Sequence, residues 1–302
     1  MRATIGAASS GALEKPAIAR GLQHRGHGDH NGPMPAAPAR CSATAAGAAV
    51  RPVVAWTVRE YPRDAQRVAI PQVEAQLVVR FGPTLPDGVD VHAIGPRRQV
   101  HRKFIRGGQR AVLARLRPGT YEAVLGIAAA ELQGAPVPLE ALWGTAHVQR
   151  LREQLADTPD THAAGALLDA AVASRVARQP TFGTTPAFLP VVLDRLQAAS
   201  LGQVARELGI GERHLRRVLH DTLGLSPKTY ARLTRFAQAV HAAQSADTVN
   251  WSAIAADTGY YDQAHLIADF RAIAGSTPTA LMTELREDDG EIAGRRPPYS
   301  AE

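Results

Sequence analysis

Four side chains close together, Arg213, His214, Arg216 and Arg217, are the residues of this sequence best suited to chemistry, and the chemistry is recognition of anions. Guanidinium groups match phosphate oxygens and the paired acceptors on the major-groove edge of guanine. The spacing of Leu215, Val218 and Leu219 predicts a helix over 212–220 that turns these apolar residues inward and the basic ones outward. A helix with Val204, Ala205 and Leu208 inward precedes it over 201–208, and Gly209-Ile210-Gly211 breaks the chain between them. A basic face on the second of two helices joined by a tight turn suits double-stranded DNA.

The same order of parts recurs downstream in residues 254–278, IAADTGYYDQAHLIADFRAIAGSTP. Ile254 and Ala255 lie on a short apolar helix, Gly259 breaks it beside Tyr260, and Asp262 caps a new helix carrying Leu266, Phe270 and Ile273 inward. Gly275-Ser276-Thr277-Pro278 ends that helix. Gln263, able to bond adenine, and His265, able to serve the turn instead, are the polar candidates of this half. Between the halves, Ser226 caps and Pro227 opens a helix to about Gln244, with Tyr230, Leu233, Phe236, Ala237 and Val240 inward. At 1.5 Å per residue it spans roughly 28 Å, near the ~34 Å that separates successive major grooves on one DNA face.

At residues 254–278 the chain resembles the AraC/XylS family of transcription regulators, whose signature is built on this spacing. The resemblance implies a paired helix-turn-helix domain that reads an asymmetric promoter site as a monomer. It also implies an arginine facing DNA at the position held here by Ala268, which is followed by Asp269.

The two halves are electrically unequal. Arg206, Arg213, Arg216, Arg217, Lys228, Arg232 and Arg235 outweigh Glu207, Glu212 and Asp221 in the first, whereas Arg271 faces Asp247, Asp257, Asp262, Asp269 and Glu284 in the second. Arg213, His214, Arg216, Arg217, Lys228 and Arg232 are therefore expected to carry the salt-dependent affinity, with Gln263 and His265 as the second half's contacts. The second half is expected mainly to position the domain.

Upstream, β-forming runs at 53–58, 68–70, 76–81, 89–94, 101–105 and 111–116 are separated by Gly82-Pro83, Pro86-Asp87-Gly88, Gly95-Pro96 and Gly107-Gly108. Short strands at this spacing predict a small barrel. A short helix at 122–125 and helical stretches at 139–156 and 161–178 follow, the last two with apolar stripes that fit intrachain packing or a homodimer. Barrel, Arg117-Pro118-Gly119, Pro138-Leu139-Glu140 with Leu142-Trp143-Gly144, and the helical pair resemble the cupin-like N-terminal domain that many AraC-type regulators carry. A catalytic cupin presents paired histidines with a carboxylate and a third histidine, and that pattern is missing. His92, His101 and Glu74 read as rim or surface residues, Tyr121 and Trp143 as packing between barrel and helices. A small-molecule effector in the barrel is the expected ligand.

With 302 residues and 45% hydrophobic content the chain can bury two cores, and its net charge of +6 favours a polyanionic partner. The single Cys41 excludes an internal disulfide and points to a reducing, cytoplasmic location. No apolar run is long enough to cross a membrane. Residues 1–50, rich in Ala, Gly, Ser, Pro, Arg and His, are read as a disordered extension. His24, His27 and His30 lie among glycines that deny them a rigid metal-binding frame, and Met34 is a second candidate start.

The sequence thus predicts an α+β protein, a small cupin-like β-barrel with trailing helices followed by an all-α paired helix-turn-helix domain. Its parts are a disordered extension (1–50), a sensing or dimerisation domain (52–178), a linker (179–186), the DNA-binding domain (187–286) and a disordered tail (287–302). The expected function is a sequence-specific DNA-binding transcription regulator acting on promoter DNA and RNA polymerase, with no catalytic residue, cofactor or metal. A barrel enzyme with secondary DNA binding, and a ligand-independent assembly factor, are the other readings; a DNA-repair methyl-transfer regulator is disfavoured by the lone cysteine.

Overall fold

The structure, a computed structural model, describes residues 51–132, 136–178, 188–287 and 291–296. The expectations for His24, His27, His30, Met34 and Cys41 and for the linker at 179–186 lie outside the described residues.

The strands form where the sequence alternates or clusters β-branched residues. One antiparallel sheet runs in the order β7 (Val137–Pro138), β4 (Val89–Ile94), β3 (Gln76–Phe81), β6 (Gln109–Leu116), β1 (Val53–Tyr61), β8 (Glu291–Arg296). A second sheet pairs β2 (Ala65–Ala69) with β5 (His101–Ile105), register Arg67 opposite Lys103 and Val68 opposite Arg102. The expected small barrel is thus a pair of sheets with a cavity between them.

The other face of the large sheet is the core. Leu77, Val79, Val91, Ala93, Val112 and Ala114 meet Tyr121, Trp143, Val148, Leu155, Leu168 and Val172 from the helices α1 (Tyr121–Leu125), α2 (Leu139–Trp143), α3 (Thr145–Ala156) and α4 (Thr161–Ala177). Tyr121 and Trp143 are packing residues, as read from the sequence; Trp143 Nε1 donates to the Val124 carbonyl at 2.8 Å. The stretch expected as one helix over 139–156 is broken at Gly144, whose φ of 85° leaves the right-handed helical region. Leu139, Leu151, Leu155, Leu168 and Val172 are buried within the chain, so intrachain packing uses most of both apolar stripes.

Two expectations are corrected. Glu291–Arg296, read as part of a disordered tail, pairs antiparallel with β1. The outer edge of β1 offers unpaired backbone groups, and an extended segment satisfies them whatever its composition. His92, read as a rim or surface residue, is buried, with Nδ1 at 2.9 Å from Asp90 Oδ2. Alternation along β4 turns Asp90 and His92 to the same side, where the carboxylate partners the ring.

The helical part contains α5 (Leu189–Arg195), α6 (Leu201–Glu207), α7 (Glu212–Leu223), α8 (Pro227–Ser245), α9 (Trp251–Asp257), α10 (Gln263–Ala274) and α11 (Pro278–Arg286). Its core joins Leu215, Leu219, Phe236, Val240, Ile254, Leu266, Phe270 and Leu281, and Val68 of β2 belongs to the same cluster. The sheets and these helices therefore pack together within one compact unit, Ala48–Glu302.

Candidate nucleic-acid interface

The interface is built from one local design used twice. At the first turn Gly209 takes φ 64° and Ile210 N–H donates back to the Ala205 carbonyl at 2.9 Å. At the second, Gly259 takes φ 76° and Tyr260 N–H donates to the Ala255 carbonyl at 2.9 Å. A side chain is strained at such angles, which is why each turn carries a glycine. The helix after each turn is equal in length: α7 and α10 both have 12 residues and both end on a left-handed glycine, Gly224 and Gly275. Each glycine is followed by a Ser or Thr cap and a proline at the first helical turn, Ser226-Pro227 and Thr277-Pro278. The 19-residue α8 packs against both halves and spans roughly 28 Å at 1.5 Å per residue.

The first half presents its cations openly. Arg213, His214, Arg216, Arg217 and Lys228 are all exposed. Arg216 pairs with Glu212 one turn back at 2.9 Å, and Arg217 Nη2 lies 3.2 Å from His214 Nδ1. Arg213 and Lys228 have no ion-pair or side-chain hydrogen-bond partner among the described residues. Arg216 and Lys228 are brought together with Arg235 on the wall of a cavity of about 670 Å³ that reaches Gly259 of the second turn.

Arg232 stands apart from that group. Its Nε donates to Asp269 Oδ1 at 2.8 Å, tying α8 to α10 around a carboxylate that is buried. Asp269 is thus an internal partner of the first half's basic excess. In the second half Asp262 caps the His265 N–H at 2.7 Å, and Gln263 Oε1 accepts from Ser252 Oγ at 2.7 Å. The His265 ring lies edge-on to Tyr260 at 5.2 Å between centroids, so the turn uses it. Gln263, Ala264, His265 and Ala268 remain exposed.

Two features were missed from sequence. Tyr261 is 92% exposed immediately before the α10 cap, beside the buried Tyr260. The Tyr-Tyr pair straddling the turn was its signal: one ring packs and the other is left outside. The second is the run Arg97-Arg98-Gln99-Val100-His101-Arg102-Lys103, whose even-numbered members grip the helices. Arg98 Nη2 reaches the Gly224 carbonyl at 3.4 Å, and Val100 N–H donates to the Ile273 carbonyl at 3.0 Å. Arg102 donates to the Ala274 carbonyl at 2.9 Å and to Glu284 of α11 at 2.6 and 3.1 Å. The C-terminal ends of α7 and α10 are therefore both held by one segment, with cations where the helix dipoles favour them. The density of basic residues in that run was its signal.

Among the described residues no group of His, Cys, Asp and Glu is placed to hold a metal ion, and no helix is long and apolar enough to cross a membrane.

Comparison with known proteins bears on this geometry. Residues 204–284 match the family model described as a helix-turn-helix domain. No curated protein matches the chain. Among solved structures, ToxT from Vibrio cholerae aligns over 77% of this chain and 98% of its own, with 7% identity and a TM-score of 0.40. The C-terminal domain of AraT, a response regulator from Geobacillus stearothermophilus, aligns over 33% and 88%, with 20% identity and a TM-score of 0.31. The transcriptional regulator CdpR from Pseudomonas aeruginosa aligns over 59% and 46%, with 20% identity and a TM-score of 0.29. These overlaps are too loose to carry an argument, and the assignment stands on the family match and the doubled turn geometry. The C-terminal part of this chain, residues 204–284, is a helix-turn-helix domain.

Proposed function

We propose that the chain is a sequence-specific DNA-binding transcription regulator whose N-terminal sheets take a small-molecule effector. The observation that carries this is the pair of matched turns with α7 displaying Arg213, Arg216 and Arg217 to solvent. Cations on an exposed helix after such a turn suit the phosphates and guanine edges of a major groove. Arg213, His214, Arg216, Arg217 and Lys228 set affinity; Gln263, His265 and the exposed Tyr261 serve the second half. Arg232, tied to Asp269, acts on the fold of the domain instead. The protein works in the cytoplasm, without catalysis of its own, on double-stranded promoter DNA, with RNA polymerase and a second copy of the chain as further partners.

The test is binding of the purified chain to its own upstream DNA and to unrelated DNA of equal length across a salt series. A complex that survives on the first while the second dissolves supports a sequence reader. Equal and equally salt-sensitive binding to both sinks that reading for this promoter, and no binding to either removes the DNA function altogether.

A further inference from the structure

The cavity between the two sheets has a volume of about 410 Å³, within the range of small-molecule sites. Arg80, Asp90, His92, Arg97, His101, Lys103 and the edge of Arg102 supply its polar wall, while Ala69, Ile94 and Pro138 supply an apolar one. The charges do not balance. Asp90 is the one carboxylate on that wall, and it is already engaged by Arg80 at 2.6 Å and by His92 at 2.9 Å. Arg97 and Lys103 have no carboxylate or side-chain hydrogen-bond partner among the described residues. Burial, and then the guanidinium groups of Arg80, Arg67 and Arg97, push the Lys103 ammonium down to about 8, although the side chain keeps solvent access along β5. Burial and then Arg67 push Arg97 down as well. A cluster of like charges that the fold leaves uncompensated is stabilised by whatever anion enters.

We propose that this cavity is an effector site for a small organic anion, its carboxylate or phosphate seated between Arg97 and Lys103 and its carbon body against Ala69, Ile94 and Pro138. The site rests on the regulator reading only for the word effector; binding of the anion stands or falls by itself. The same segment supplies its route to DNA. Arg97, His101 and Lys103 face the cavity, Arg98 and Val100 between them hold the ends of α7 and α10, and Arg102 does both, lining the cavity and bonding Ala274 and Glu284. One layer of chain separates the anion from both recognition helices, so a displacement of that segment on one side is felt on the other.

Calorimetry on the full chain at constant ionic strength, with chloride as the reference, decides the binding. Inorganic phosphate and succinate are the two probes, and whichever binds identifies the head group. Saturable binding of either one, weakened about tenfold by Lys103→Met and by Arg97→Met through loss of a charge-assisted contact, supports the site. Neither probe binding above chloride, or both variants binding as tightly as the wild type, overturns it. Each variant removes a repelling charge, so melting at or above the wild-type temperature without anion shows that a loss of binding is not a loss of fold. The coupling is read on the promoter complex: the bound probe shifts DNA affinity in the wild type and not in Glu284→Ala, which removes Arg102's partner on α11 from outside the cavity. A probe that binds and leaves DNA affinity unmoved overturns the effector role, whereas failure to bind any promoter strikes the regulator reading and leaves calorimetry to judge the site.

Discussion

Arg216 and Arg232 look alike in the sequence and stand in different surroundings. Arg216 is exposed and paired only with Glu212 on its own helix, an interaction worth roughly 0.3–0.5 kcal/mol, so it can leave for a phosphate at little cost. Arg216→Ala should weaken promoter binding and lower the slope of log affinity against log salt by about one, with melting unchanged. Arg232 instead neutralises the buried Asp269. Arg232→Ala should leave the salt slope alone and cost roughly 1–3 kcal/mol in denaturant unfolding, because it strands that carboxylate. If Arg232→Ala lowered the slope while stability held, the assignment of roles would be reversed. Lys103 gives a pH signature. Its folded value of about 8 lies below the ordinary 10.5, so the unfolded chain binds the extra proton between those limits and stability should rise with pH across that window. The charged and titratable groups around it are Arg67, Arg80, Asp90, His92, Arg97, His101 and Arg102. Melting temperatures from pH 7.5 to 10.5, wild type against Lys103→Met, check it, the variant being the flatter of the two. Asp90 is the acid counterpart: the His92 hydrogen bond and then Arg80 outweigh burial and hold it at about 2, so its stabilisation is present above its ordinary 3.8 and is lost as pH falls through about 2.

At the scale of elements, sequence reading succeeded where a local rule was enough. Period-two runs gave the strands from Gln76 to Ile105 close to their observed limits, and the caps Ser226 and Asp262 placed the starts of α8 and α10. It failed where the deciding partner was distant. The β8 strand exists because β1 has an open edge, which the composition of residues 291–296 does not announce. His92 is buried because Arg80, on the neighbouring strand β3, packs beside its partner Asp90. The basic face of α7 was legible from its own helix, but the tie of Arg232 to Asp269 runs between helices, joining residues 37 apart in the chain, and no local pattern announces it. Gly224 shows both kinds of demand at once. Its φ of 67° ends α7, and a Cβ there would lie 2.7 Å from the Ala129 carbonyl oxygen of the N-terminal part. Gly224→Ala should therefore cost more than the roughly 1–3 kcal/mol of backbone strain and loosen the helices from the sheets. Faster cleavage of the chain between those parts by a protease, alongside the lower melting temperature, would record it; unchanged melting would show that the contact yields easily.

For the whole molecule, the sheets and the helices, each with its own core, pack together within one compact unit. A linker was expected at 179–186, and the cluster built around Phe236 and Phe270 takes in Val68 and packs Val100 against itself. Heat or denaturant should then unfold sheets and helices in a single transition, and Arg102→Ala, which removes the bonds to Glu284 and Ala274, should split it in two. Two transitions already in the wild type would contradict the shared unit. On the proposed function, the grip of residues 98–102 on the ends of α7 and α10 reaches further, to the promoter itself. A splint across α7 and α10 fixes how far apart, and at what angle, the two helices meet the double helix. Inserting one base pair between the sequences they touch rotates one of them by about a tenth of a turn, which a braced protein cannot follow. Operators for this regulator should consequently admit base substitutions far more readily than changes in length.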